Sequence, residues 1–191
     1  MKRVLIALVA FMAVICTQAQ TEYPRNEVGV SYGALSNSQW MNVYEHVFTS
    51  LATVGVTTYG DDSFIGPISA EYFYHVENWV AVGGIFVYSQ NKQDVKISGS
   101  VAGELTDNYF TLMPAVKFDW LRKRHFGMYS KLAAGATLHR QATDKDSEST
   151  VHVNWQATPL GLEAGSLEVR GFAELGLGEQ GFIVGGIRYR F

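Results

Sequence analysis

The stretch Gly181–Phe191 reads with a period of two. Ile183, Gly185, Ile187, Tyr189 and Phe191 share one face, and Phe182, Val184, Gly186, Arg188 and Arg190 share the other. Alternation of large apolar residues with arginines prescribes a strand with one apolar and one charged side. Two architectures accept such a strand. In a soluble sandwich the charged side meets water; in a membrane barrel it meets the lumen.

The same period recurs upstream and favours the barrel. Glu27–Ala34, Gly66–His75, Trp79–Ser89, Asn108–Trp120, Phe126–Leu138, Val151–Ala164, Leu167–Leu177 and the terminal stretch read as eight strands. Short connections at 76–78, 121–125 and 165–166 alternate with long ones at 35–62, 90–107 and 139–150, the pattern of short turns at one end of a barrel and longer loops at the other. The last connection, Gly178–Gly181, is short where a long one is due. Within 35–62, Trp40, Tyr44, Val47, Phe48 and Leu51 recur at helical spacing, so a short helix is expected in the first long loop. In the sixth strand Trp155 and Ala157 share a phase that Leu160 and Leu162 do not. A register irregularity is expected near Pro159, which has no N–H for the ladder.

Aromatic residues sort by strand end. Tyr72, Tyr74, Trp79, Phe118, Trp120, Phe126, Tyr189 and Phe191 fall beside the short turns; Tyr32, Phe86, Tyr88, Tyr109 and Trp155 fall toward the other end. Paired aromatic girdles are what a bilayer selects, because amphipathic rings settle at headgroup depth. The predicted fold class is therefore all-β: an eight-stranded antiparallel up-and-down transmembrane barrel.

Composition fits a single exported domain. Met1-Lys2-Arg3, an apolar run from Val4 to Cys16 and Thr17-Gln-Ala19 read as a signal peptide over 1–19, leaving 20–191 as the barrel. Thirteen apolar residues are too few for a spanning helix, which needs about 20. Ile15 breaks the lipoprotein pattern before Cys16, the only cysteine, so the mature chain is expected to lack disulfides and thiol chemistry. The formal charge is −3 for the full chain; loss of Lys2 and Arg3 takes it to −5, which excludes a nucleic-acid binder.

If the apolar rows face lipid, the opposite rows converge inside. Glu27, Glu71, Asp119, Glu163 and Glu174 then face Lys117, Lys131, Arg188 and Arg190. An eight-stranded barrel is just wide enough for its own side chains. Desolvated charges there persist only when paired, so an ion-paired, closed lumen is expected, with Arg188 and Arg190 meeting Glu27 and Glu174. Interior glycines, Gly29, Gly33, Gly83, Gly135, Gly176 and Gly186, are expected to make room for rings and guanidinium groups.

No catalytic set emerges. A lipid hydrolase would want a histidine beside a serine at the outer leaflet, and the nearest pattern, His152-Val-Asn154, lacks the nucleophile. No two histidines stand at ligand spacing, so no metal is expected, and no glycine-rich phosphate motif implies a cofactor. Arg122-Lys-Arg124 is expected to meet anionic headgroups or position its turn.

Gly66-Pro-Ile-Ser-Ala-Glu-Tyr72, Trp79-Val-Ala-Val-Gly-Gly84, Phe172-Ala-Glu-Leu-Gly176 and Gly185-Gly-Ile-Arg-Tyr-Arg-Phe191 resemble the small outer-membrane barrels of the outer membrane protein A and W type. A terminal strand closing on Phe191 also resembles the signal by which such barrels engage their assembly machinery in Gram-negative bacteria. The resemblance implies residence in outer-membrane lipid. The chain departs from outer membrane protein A itself in showing no peptidoglycan-binding domain after the barrel, so a cell-wall tether is not expected. Three functions are then in play. The first is a structural or surface-interaction barrel meeting external ligands through 35–62, 90–107 and 139–150. The second is a narrow porin-like channel or conduit for small hydrophobic solutes. The third, an outer-leaflet lipid-modifying enzyme, ranks below both.

Overall fold

The computed structural model describes residues 23–38, 57–97, 100–143 and 147–191. Eight strands follow one another: β1 (Asn26–Ala34), β2 (Thr57–Glu77), β3 (Val80–Ile97), β4 (Ser100–Arg122), β5 (Phe126–Thr143), β6 (Ser147–Gly165), β7 (Val169–Gly178) and β8 (Ile183–Arg190). Each pairs with its neighbour in sequence, and β8 returns to β1 to close an antiparallel barrel. Closure is in register, with Glu27 opposite Arg190, Val28 opposite Tyr189 and Gly29 opposite Arg188. Where all eight strands stand side by side, closure leaves no edge unpaired, which is what a sheet needs where water cannot satisfy its amides.

The barrel inverts the usual distribution of polarity. Val30, Leu112, Leu132, Val153, Leu177 and Ile187 are among the exposed outward residues, while Glu27, Lys117, Lys131, Arg188 and Arg190 are buried inside. The aromatics beside the tight turns all point outward. Tyr72, Tyr74, Trp79, Trp120, Phe126, Tyr189 and Phe191 are exposed, and half-buried Phe118 stacks on Trp79 with ring centroids 6.4 Å apart. At the other end Tyr88 packs on Phe110, centroids 5.2 Å apart. Tyr109 departs from the predicted girdle. It points inward, buried, and stacks on His139 at 4.4 Å, because it is out of phase with outward Phe110.

The wall heights differ. β1, β7 and β8 have 9, 10 and 8 residues, close to the about 9–11 that a tilted membrane strand uses, whereas β2–β6 run to 18–23 residues. The predicted loops 90–107 and 139–150 are therefore mostly extended ribbon. β3 and β4 stay paired to Ile97 and Ser100, and β5 and β6 to Ala142 and Ser147. The connection 35–62 likewise shortens, since β2 starts at Thr57. Backbone pairing needs no apolar face, so ribbon that leaves the lipid loses the hydrophobic alternation by which strands are recognised. The helix expected around Trp40–Leu51 lies outside the described residues.

The sixth strand shifts register against both neighbours, between Ala157 and Leu160 on the β7 side and opposite Tyr129 and Lys131 on the β5 side. The carbonyl freed at Pro159 accepts a hydrogen bond from Ser130 Oγ at 2.8 Å.

Candidate functional site

The lumen gathers the chemistry of the chain, because every strand contributes its inward row. Nearest the tight turns lies a network of charge. Lys117 Nζ is 2.7 Å from Glu27, 3.5 Å from Asp119 and 3.9 Å from Glu163. Lys131 Nζ bridges Glu71 at 3.0 Å and Glu174 at 2.8 Å. Arg188 grips Glu71 through one nitrogen and Glu163 through another at 2.9 Å; it stands 3.6 Å from Glu27 and 3.8 Å from Glu174. Arg190 joins Glu27 at 3.1 Å to Glu163. All nine charged residues expected inside meet in this one cluster, each buried.

The cluster recruits three groups beyond that set. Arg170 places Nη1 3.0 Å from Glu163 and is wholly buried. It brings the cluster to five acids and five bases. The signal was available: Arg170 shares the phase of Phe172 and Glu174 on β7. His75 directs Nε2 to Asp119 at 2.8 Å and Nδ1 toward the Arg25 carbonyl at 3.3 Å. Tyr129 donates its hydroxyl to Glu174 at 2.6 Å, with Lys117 4.5 Å and Arg188 4.9 Å from its ring centroid. Such ring-over-cation contacts are invisible to strand phase alone, since they depend on which strands the closure sets opposite one another.

Glycines admit these side chains in part. A Cβ on Gly186 would stand 2.3 Å from the Val30 carbonyl oxygen and 2.7 Å from the ring of Phe172, which lies 4.4 Å from the Arg188 guanidinium. One on Gly161 would strike the Tyr129 ring at 2.4 Å. Gly83 and Gly135 differ from expectation: a Cβ there would meet the Tyr72 or Leu112 carbonyl oxygen, at 1.9 and 2.0 Å. What they permit is close approach of neighbouring strands.

Beside the charges a small apolar cluster, Phe73, Ala81, Ile85, Val87, Met113, Ala115 and Ala133, lines the inner wall of β2 to β5. Beyond it the lumen turns polar and almost neutral. Thr111 and Thr137 share a 2.6 Å hydrogen bond, and Asn154 donates to Thr137 at 3.0 Å. The β7–β8 turn, Gly178–Gly181, folds inward over this region, with Glu179 and Gln180 fully buried. The glycines flanking the turn adopt φ of 132° and 110°, which a side chain would resist. Glu179 accepts hydrogen bonds from the Ser38 hydroxyl, the Ser38 amide at 3.3 Å and Asn154 Nδ2 at 2.8 Å. Those donors lower its pKa, but burial outweighs them and raises it above the ordinary value of 4.5.

Two histidines lie at the ribbon end. His139 pairs with Asp107 at 2.9 Å, and His152 lies beside it on β6, opposite Thr137. Among the described residues no three His, Cys, Asp or Glu side chains converge as a metal site. Also among them, no helix is long and apolar enough to cross a membrane.

No family model matches the chain, and no curated protein matches it. Among solved structures it is similar to Ail, the attachment invasion locus protein of Yersinia pestis, at 16% identity over 88% of this chain and 99% of that one, with a TM-score of 0.46. It is also similar to Ail in complex with the heparin analogue sucrose octasulfate, at 16% identity over 87% and 99%, TM-score 0.47.

Proposed function

We propose that this chain is an integral outer-membrane barrel whose lumen is closed and whose contacts are made at the ribbon end. On this reading residues 1–19 are removed on export and the β8 strand engages the assembly machinery. The protein is a structural or surface-interaction barrel. The observation that carries it is the lumen itself: five acids and five bases, each at 7% exposure or less, joined into one network. Ions crossing the barrel would have to break several desolvated pairs at once. The strands that overreach the barrel, β2 to β6, carry chain away from the lipid and offer surface for external ligands.

A narrow channel is the second reading, and one observation favours it. Toward the ribbon end the lumen is lined by small polar side chains, Ser31, Ser69, Ser89, Thr111 and Thr137, with no salt-bridge network among them. That polar stretch is covered by the β7–β8 turn and ends at the ion network.

Single-channel recording on the mature protein, refolded into a planar bilayer, separates the two. Heat-dependent gel mobility first establishes that the barrel has formed. A silent or nearly silent barrel is expected. Steady conductance that changes in Arg188→Ala would replace the closed-barrel reading with transport.

A further inference from the structure

We propose that the β4–β5 turn, with Arg25 beside it, is a docking site for the phosphate headgroups of anionic phospholipid. The inference rests on the membrane-barrel reading above. The turn is Lys123-Arg-His125, and Lys123 and Arg124 are exposed. Its backbone is held from inside the barrel. The buried Arg170, anchored on Glu163 at 3.0 Å, donates Nη2 to the carbonyls of Lys123 at 2.6 Å and Arg124 at 2.9 Å. The His125 carbonyl accepts the Gly165 amide at 3.0 Å, strapping the turn to the one between β6 and β7. With its carbonyls turned onto Arg170, the turn presents two cationic side chains from a fixed frame.

A third cation is brought to the same place. Arg122 donates to the Pro24 carbonyl at 2.7 Å and lies 5.0 Å from the Tyr23 ring centroid. The segment before β1 is thereby drawn across to β4, with exposed Arg25 at its end. The depth is that of headgroups. Outward-facing Trp120 and Phe126 bracket the turn, and rings of this kind settle at the membrane–water interface.

Charge complementarity identifies the occupant. Among the described residues this rim holds Arg25, Arg122, Lys123 and Arg124 against Glu77 and Glu168, and neither acid lies on the β4–β5 turn. Along the sequence, the connections 35–62, 90–107, 139–150 and 178–181 carry ten acids and four bases, so no comparable cluster of cations stands there. A guanidinium fork beside an ammonium suits a phosphodiester, which accepts two parallel N–H bonds.

The test is titration of the refolded, heat-modifiable mature protein with phosphatidylglycerol and, separately, phosphatidylcholine, counting retained lipid by native mass spectrometry. Phosphatidylglycerol is expected to be retained in preference. Lys123→Gln/Arg124→Gln should weaken that retention on the order of 30-fold, from two basic groups near a charged surface. Arg140→Gln, at the ribbon end, should leave it unchanged. Equal retention of the two lipids, or an unaffected double variant, overturns the site while the barrel stands. A chain that never forms a heat-modifiable barrel overturns the membrane reading and the site with it.

Discussion

Arg188 is the residue on which most of the lumen converges. It contacts Glu71 and Glu163 directly, approaches two further acids, and packs between the rings of Tyr129 and Phe172. Arg188→Ala leaves buried carboxylates without their cation, so unfolding in urea from detergent should show a loss of roughly 3–5 kcal/mol. Adding Glu71→Gln should return part of that loss, because the double change removes both members of the pair. A double variant no more stable than Arg188→Ala would mean that the pair is not coupled. Glu179 behaves differently, since its neighbours are donors without full charge. Its raised pKa means the folded state holds the proton more tightly than the unfolded chain. The resulting stability is fully present below 4.5, the ordinary glutamate value, and is lost as pH climbs through the raised one. Glu179→Gln cannot ionise and should lack this slope in stability measured from pH 4 to 8. Parallel curves for the two proteins would exclude the carboxyl as its source.

At the scale of elements, the β4–β5 pair shows how closely the wall is built. Pairing runs from Leu112 opposite Ala136 to Ala115 opposite Ala133, with Pro114 between them unable to donate. Gly135 lies in this interval, its missing side chain facing the Leu112 carbonyl. Gly135→Ala should force the two strands apart and cost about 1–3 kcal/mol, read as a lowered urea midpoint. An unchanged midpoint would show that the wall relaxes there freely. The β6 irregularity was legible beforehand, because a phase change and a proline at one point leave few ways to continue a ladder. The inward fold of the β7–β8 turn was not. Gly178-Glu-Gln-Gly181 reads as a tight hairpin, and only contact with β1, β6 and Ser38 draws it over the lumen.

For the whole molecule, the partition of charge is the organising fact. Five acids and five bases pair in one internal network, while the rim at the β4–β5 turn carries exposed cations. The barrel thus resembles a closed wall with two distinct rims, and conductance, lipid retention and ligand binding can fail independently of one another. Strand number, the inward rows and the aromatic belt at the tight turns follow from a period of two and from turn residues, which are local properties. So does the prediction that nine charged residues share an interior. What required the tertiary structure is everything that joins distant strands: Arg170 as the fifth base, Tyr129 among the cations, Tyr109 against His139, and strands running far beyond the lipid. Phase tells which way a side chain points along one strand. Register and closure decide what it meets across the barrel, and those depend on all eight strands at once.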